Sequence, residues 1–484
     1  MYFHRCAILL GVATFLSHVA AYFRMSCPGR LVRERLDPVV NNGTTAAHVH
    51  NIVGGSAFGP SMTYDLTQLA KCSSCTIKED KSNYWTPQLY YHAQNGSFLP
   101  VPVVGNSDDS NAGMLVYYFQ RPGFPNETLI GFPAGFRMLA GDTNKRNFTG
   151  GLDAKAVSYN CLGSNMAETN ALPNYNCKDG LRVQIFFPSC WDGKNLDSAD
   201  HRSHMSYFNG TEYNTGVCPS THPNHTISLF YEVLYDTNRF ADMWYNMSSG
   251  SNYQPFVFSN GDATGYGFHA DFVNGWDVDV LQRATTECTN DSGNVEDCGE
   301  VSQYSYDECN ACKLPSVVDE KTDGWVDRLP GCNPVSHGPD PATRPIYCPP
   351  VAGLGPPVNK YVDLTSSRGW RYAGCASDSV GNRTLPFYYP TSNLTIEKCI
   401  DLCTDPSPGG TGFRYAGMEY GRECFCGDQL EAERAPKAGI YGGCRNTCQG
   451  NETQTCGGPN ALSLYEKCSW SGCWNYEFVQ FPRA

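Results

Sequence analysis

Two histidines two residues apart, His48 and His50, are the first residues of this 484-residue chain whose types and spacing can do chemistry. On an extended strand, residues i and i+2 face the same side, so the two imidazoles can share one ion. Three more histidines, His201, His204 and His269, stand in acidic, glycine-rich surroundings. Three or four imidazoles with carboxylates suit zinc or copper. His48, His50, His201, His204 and His269 are therefore candidate metal ligands, and a divalent metal ion is the cofactor they suggest. The carboxylates Asp192, Asp197, Asp200 and Asp271 offer a second chemistry, the acid and base pair of a glycoside-cleaving enzyme. Trp85, Trp191 and Trp276 would then line a sugar cleft. In a third reading the same residues form a hydrogen-bonded loop network in a β-protein. The residues leave these three readings open.

Toward the C-terminus, Trp370, Tyr372, Tyr415, Tyr420 and Phe425 can stack on the C–H faces of sugars, with Glu419 and Asn451 as polar partners. Aromatic residues also dominate small cores, so each can equally be structural. The same segment holds Cys375, Cys399, Cys403, Cys424, Cys426, Cys444, Cys448 and Cys456. The C-x-C spacing at Cys424 and Cys426, in a chain read as exported, favours bridges over zinc. Several bridges at ~2–4 kcal/mol each would stabilise a module with little core of its own. Beyond it, Cys468 and Cys473 frame a short loop.

The elements that must position these residues are mainly strands. Met114–Phe119, Leu181–Phe187 and Ile227–Val233 read as strands between Gly, Pro and Asn signals, the last two by alternation of apolar and polar residues. Phe413–Tyr420 and Leu462–Tyr465 read the same way. Helices are few. Gly275–Glu287 is one, and Thr395–Cys403 is another, with Thr395 as its N-cap. The expected fold is mainly β: a large sandwich-like or jelly-roll-like domain with long loops, and a small disulfide-rich α+β domain.

Residues 1–21 read as a secretory signal peptide, with a short basic start, an apolar run from Cys6 to Leu16 and small residues at the exit. That run is too short to span a bilayer, and no later segment is long and apolar enough. Of 24 cysteines, Cys6 leaves with the leader, so an odd number remains and one is unpaired or pairs with another chain. Eleven N-x-S/T sequons spread along the chain fit export and glycosylation. The expected location is outside the cell or in a cell wall. A net charge of −13 disfavours nucleic acid as a partner. The stretch 336–360 is rich in Pro and Gly and reads as a linker. It separates a first domain over 22–335 from a second over 361–467, with a tail over 468–484.

Two resemblances sharpen this. The second domain opens G-W-x-Y-x-G-C at Gly369, continues through R-T-L and Y-A-G-x-E-Y-G-x-E-C-x-C-G, and closes C-x-G-N-x-x-x-x-C-G-G. In this it resembles the WSC domain. The resemblance implies a small sheet with packed helices, four disulfides and binding to wall polysaccharide of the β-glucan or xylan class. The first domain carries E-R-L-D-P, H-V-H-x-I-x-G-G-S, D-K-S-N-Y-W-x-P, C-W-D-G-K-N-L-D-S and G-Y-G-x-H-x-D-F in order. It resembles a fungal secreted domain of unknown function, often paired with WSC, which points to a wall as its place of action. No G-x-S-x-G elbow with a matching triad, no H-E-x-x-H and no phosphate loop is present, so common hydrolase, zincin and nucleotide chemistries lack support. The expectation is a polysaccharide-binding wall protein whose first domain acts on wall glycans; the alternative is a non-catalytic, lectin-like or structural wall protein.

Overall fold

The computed structural model describes residues 21–104, 113–245, 254–343, 361–405, 412–436 and 444–475, apart from 315, 319, 445, 459, 470 and 471. Residues 1–20 of the expected leader, residues 344–360 of the Pro/Gly-rich stretch and the end of the tail lie outside these residues.

The chain is mainly β, in several antiparallel sheets. Two five-stranded sheets form the body of the first domain. In the first, the strands run in the order Ala21–Cys27, Met114–Gln120, Ser228–Tyr235, Leu181–Phe186 and Val157–Cys161. In the second, the order is Val32–Glu34, His50–Gly54, Asn83–Pro87, His269–Val273 and Arg137–Gly141. Alternation in Met114–Gln120 and Ser228–Tyr235 puts every second side chain inward, the period that a pleated strand imposes. The sheets face each other through one core. Phe23, Met25, Val116, Tyr118, Val183 and Tyr231 from the first meet Val53, Tyr84, Met138 and Phe272 from the second. The Tyr84 and Tyr231 rings lie 5.6 Å apart. Buried hydroxyls need partners. Tyr84 and Tyr118 share a 2.8 Å hydrogen bond, Tyr84 also donates to Asp80, and Trp276 Nε1 donates to Tyr118 Oη at 2.8 Å.

The outer face of the second sheet is covered too. Leu36 and Val39, which follow its first strand, join Phe58, Met62, Trp85, Val273, Val317 and Val318 in a second apolar cluster. Both faces of this sheet are buried, so its polar residues are sealed in rather than solvated. Glu34, for example, accepts from Val317 N at 2.7 Å, and burial pushes its carboxyl up to about 7.

The helix expected over 275–287 is Val278–Glu287, capped by Asp277, whose side chain accepts from Asp279 N and Val280 N. Residues 336–342, in the Pro/Gly-rich stretch, hydrogen-bond to this body. Ser336 N donates to Gly261 O at 2.8 Å, and Ala342 N donates to Asn144 O at 3.0 Å. The bridges Cys27–Cys75, Cys72–Cys312, Cys161–Cys177, Cys190–Cys218 and Cys288–Cys298 tie the loops. Among the described residues Cys309, buried, is the free thiol. No described helix is long and apolar enough to cross a membrane.

The second domain is built on a five-stranded antiparallel sheet in the order Trp370–Ser377, Ala461–Lys467, Tyr415–Glu419, Glu423–Gly427 and Phe387–Tyr389, with a two-stranded sheet of Thr447–Cys448 and Asn451–Thr455. Its helix, Ile396–Thr404, is capped by Thr395, which accepts from Lys398 N. Cys399 and Cys403, one turn apart on the helix, bridge to Cys424 and Cys426, two apart on a strand. The helical and strand periods thus bring both pairs into register. Cys375–Cys444, Cys448–Cys456 and Cys468–Cys473 complete the set.

Candidate functional site

The second sheet brings three of the five histidines together. His50 pairs with Pro87, Trp85 pairs with Asp271, and His269 stands two residues before Asp271. Directly paired residues share a face, and so do residues two apart. His50, His269 and Asp271 therefore project on the same outer face of the sheet. His48 joins from just before its strand. The His48 and His50 rings are 4.3 Å apart, and His48 Nε2 is 3.0 Å from His269 Nε2. Ligand atoms of His48, His50 and His269 all lie within 4.8 Å of one another, and so do those of Asp37, His50 and Asp271. All five side chains are buried. Asp37 comes from the E-R-L-D-P segment that lies over the sheet.

Burial sets the electrostatics. It drives the His48 and His50 imidazoles far below their usual range, helped by the neighbouring rings, and lowers His269 to about 4. All three are neutral at pH 7. Burial pushes Asp37 up to about 6 against the N–H groups of Val40 and Val39, which donate to it. It also drives Asp271 far above the carboxylate range, with Asp37 adding to the rise. Among the described residues, neither oxygen of Asp271 has a hydrogen-bond partner, nor has His50 Nε2.

The cluster opens on a pocket of ≈ 520 Å³, whose lining includes Asp37, His48, His201, Arg202, Asn260 and His269. His201 lies across this pocket in the loop that follows Cys190–Trp191. Its backbone is left-handed, at φ 57°, a conformation that costs a non-glycine residue energy and persists only where the surroundings impose it. Its Nδ1 meets Asp197 Oδ1 at 2.8 Å. His204 stands apart from the triad. Its Nε2 donates to Arg137 O at 2.8 Å and its Nδ1 meets Ser198 Oγ at 2.9 Å, so both nitrogens are engaged.

Three of the four predicted acid–base carboxylates brace this loop. Burial alone would raise Asp192, but the N–H groups of Asn195 and Lys194 hold it below the usual range. The N–H of Ser203 and its neighbours hold Asp200 far lower still. Carboxylates locked as anions make poor general acids. Asp271 is separate, inside the sheet. Of the three tryptophans, Trp85 and Trp276 are fully buried and face no cleft. Trp191 is partly buried beside Phe136, 6.2 Å away, and its Nε1 donates to Asn195 O.

In the second domain, five of the residues expected to hold sugar are interior. Trp370, Tyr372, Tyr415 and Phe425 lie in the core, and Glu419 is buried, accepting from Arg383 Nη1 at 2.7 Å and Asn460 N at 3.0 Å. Tyr420 is 50% exposed at the turn between two strands. The structure adds two aromatics that the sequence reading passed over, Phe387 (50% exposed) and Tyr388 (52%). They sit on the edge strand Phe387–Tyr389, backed by Phe413 at 4.9 Å and Phe425 at 5.3 Å. A signal was available: Pro386-Phe-Tyr-Tyr-Pro390 places three aromatics between prolines, and proline confines a strand to an edge.

Comparisons with known proteins fit this layout. Residues 37–276 match the family described as "Domain of unknown function (DUF1996)", and residues 372–458 match the WSC domain. The chain therefore carries a DUF1996 domain followed by a WSC domain. It is 44% identical over 101 residues to a WSC domain-containing protein of Arthroderma benhamiae, covering 20% of this chain and 10% of that one. It is 38% identical over 97 residues to xylosyltransferase oxt of Drosophila melanogaster, covering 19% and 10%. With Kremen protein 1 of Homo sapiens it shares 32% over 108 residues, 22% of each chain. The chain spans about a tenth of the length of the first two. The WSC domain supports a carbohydrate-binding or cell-wall-related role.

Proposed function

We propose that this is an exported wall-associated protein that holds polysaccharide of the β-glucan or xylan class through its WSC domain, while the first domain acts on glycan in the pocket beside His48, His201 and His269. The observation that carries the reading is the exposed aromatic edge of the WSC domain. Phe387, Tyr388 and Tyr420 leave flat apolar faces in water, where stacking on sugar C–H faces buries them. The pocket offers the first domain a concave, polar-lined place for a sugar. Eleven sequons and at least ten disulfides suit the secretory path.

The test is co-sedimentation of the glycosylated full chain with insoluble β-1,3-glucan, xylan and chitin, with analysis of soluble products. Retention on glucan or xylan is expected, with at least a tenfold loss in the Phe387→Ala/Tyr388→Ala variant, together with released oligosaccharide. Retention without product would move the first domain to the lectin-like reading. No retention on any of the three sinks the proposal.

A further inference from the structure

We infer that His48, His50 and His269 bind one divalent transition-metal ion beside the pocket that His48 and His269 line, with the Asp37 and Asp271 carboxylates forming a separate group around His50. The inference goes beyond glycan binding and stands without it, because it rests on hydrogen-bond accounting. His50 Nδ1 faces Leu36 O at 2.9 Å, and His269 Nδ1 faces Gly267 O at 3.1 Å. A carbonyl oxygen only accepts, so both Nδ1 atoms carry the proton. In a neutral ring the other nitrogen, Nε2, is then a bare lone pair. This is how metal-binding imidazoles are commonly oriented: one ring N–H on a backbone carbonyl, the other nitrogen free for the ion.

The His269 Nε2 lone pair is aimed at His48, whose Nε2 either donates to it or, with the proton on Nδ1, shares an ion with it. His269 Nε2 lies 3.0 Å from His48 Nε2. Two nitrogens each about 2.1 Å from a shared ion stand about 3.0–3.4 Å apart for ligand angles near 90–110°. His50 Nε2 and both oxygens of Asp271 are buried with no hydrogen-bond partner among the described residues. Orphaned buried polar groups are rare and costly, and an unpaired buried carboxylate more so. A cation held by the three imidazoles gives His50 Nε2 its partner and sets positive charge beside His50, within 4.8 Å of which the Asp37 and Asp271 carboxylates lie. Three imidazoles select a borderline transition ion such as Zn²⁺, Cu²⁺ or Ni²⁺ over Ca²⁺ or Mg²⁺, which prefer all-oxygen sites. The other convergent group, Cys399, Cys403 and Cys424, has its sulfurs committed to bridges and is no competitor.

The experiment needs no sugar. The full chain, secreted and checked for folding by near-UV circular dichroism, is analysed for metals, stripped with a chelator, and reloaded with Zn²⁺, Cu²⁺, Mn²⁺, Co²⁺ or Ca²⁺. About one equivalent of a transition ion per chain is expected, together with a rise in the unfolding midpoint on reloading. Co²⁺ should develop the visible bands of nitrogen ligation. His48→Ala, His50→Ala and His269→Ala should lower uptake at least tenfold. His222→Ala, outside the pocket lining, should keep full stoichiometry. If the alanine variants misfold, the milder His269→Gln and the wild-type Co²⁺ spectrum decide. A folded wild-type chain that takes up no transition ion, or prefers Ca²⁺, overturns the inference. So does uptake unchanged in folded triad variants. Metal uptake without glycan retention would sink only the reading of the previous section.

Discussion

At the scale of single residues, burial decides which side chains can act. Trp276 was a candidate cleft residue in the sequence, yet it is fully buried, 5.7 Å from Tyr118 and 6.4 Å from Phe23. Trp276→Ala should therefore cost about 3–5 kcal/mol in chemical unfolding and act on the whole first domain; a loss under about 1 kcal/mol would show the site is not core. Glu419 makes a second case. Burial raises its carboxyl from 4.5 to about 8, with Asp378 adding to the rise, and Arg383 bridges the two carboxylates. The folded domain then holds a proton that the unfolded chain releases near pH 4.5. Stability should fall as pH rises from about 4.5 to 8 and level off above. Burial pushes Asp378 up, but Thr384 N–H and Arg383 hold it below its usual range, so it titrates beneath that window. Unfolding midpoints of wild type and Glu419→Gln across pH 5–9 test this, and equal slopes would refute it. The His48–His50 spacing was legible because strand period is a local property. Asp37 was not, since only the packing of its segment over the sheet brings it to His50. Aromatic type alone could not separate Trp370, Tyr372, Tyr415 and Phe425, which build the core, from Phe387 and Tyr388, which do not.

At the scale of elements, the sequence was most readable where a strand or cap carries its own signal. Leu181–Phe186 and Ser228–Tyr235 follow from alternation, and the helix after Thr395 from a side chain that accepts a first free N–H group. Strand order was not readable, because Asn83–Pro87 and His269–Val273 pair across more than 180 residues by register alone. In the WSC domain the helix and its neighbouring strand are joined twice. Removing one bridge by Cys399→Ser/Cys424→Ser should cost ~2–4 kcal/mol. The second bridge, Cys403–Cys426, should keep the helix docked, so glycan retention should survive at 25 °C. A variant that unfolds outright, or shows no change in midpoint, would contradict this division of labour.

At the scale of the whole molecule, the balance of forces should show in how binding responds to salt. The chain is net negative by 13 charges, and the proposed contact surface is aromatic. Screening at 1 M NaCl shortens the Debye length to about 3 Å, yet leaves stacking on neutral sugar intact. Retention on β-glucan should change less than about twofold between 0.05 and 1 M NaCl, measured by co-sedimentation. A steep loss would mean that charge, not stacking, holds the polymer.

The Cys72–Cys312 bridge spans 240 positions, while Cys27–Cys75 closes over only 48 and shares the same short stretch of chain. Ribosomes deliver the amino end first, so Cys72 must persist as a thiol while most of the first domain is still being made. During that interval it is the nearest wrong partner for Cys27. Faithful maturation therefore depends on an exchange catalyst that can undo an early mispairing, and yield should track the supply of that catalyst more than the intrinsic stability of the finished fold.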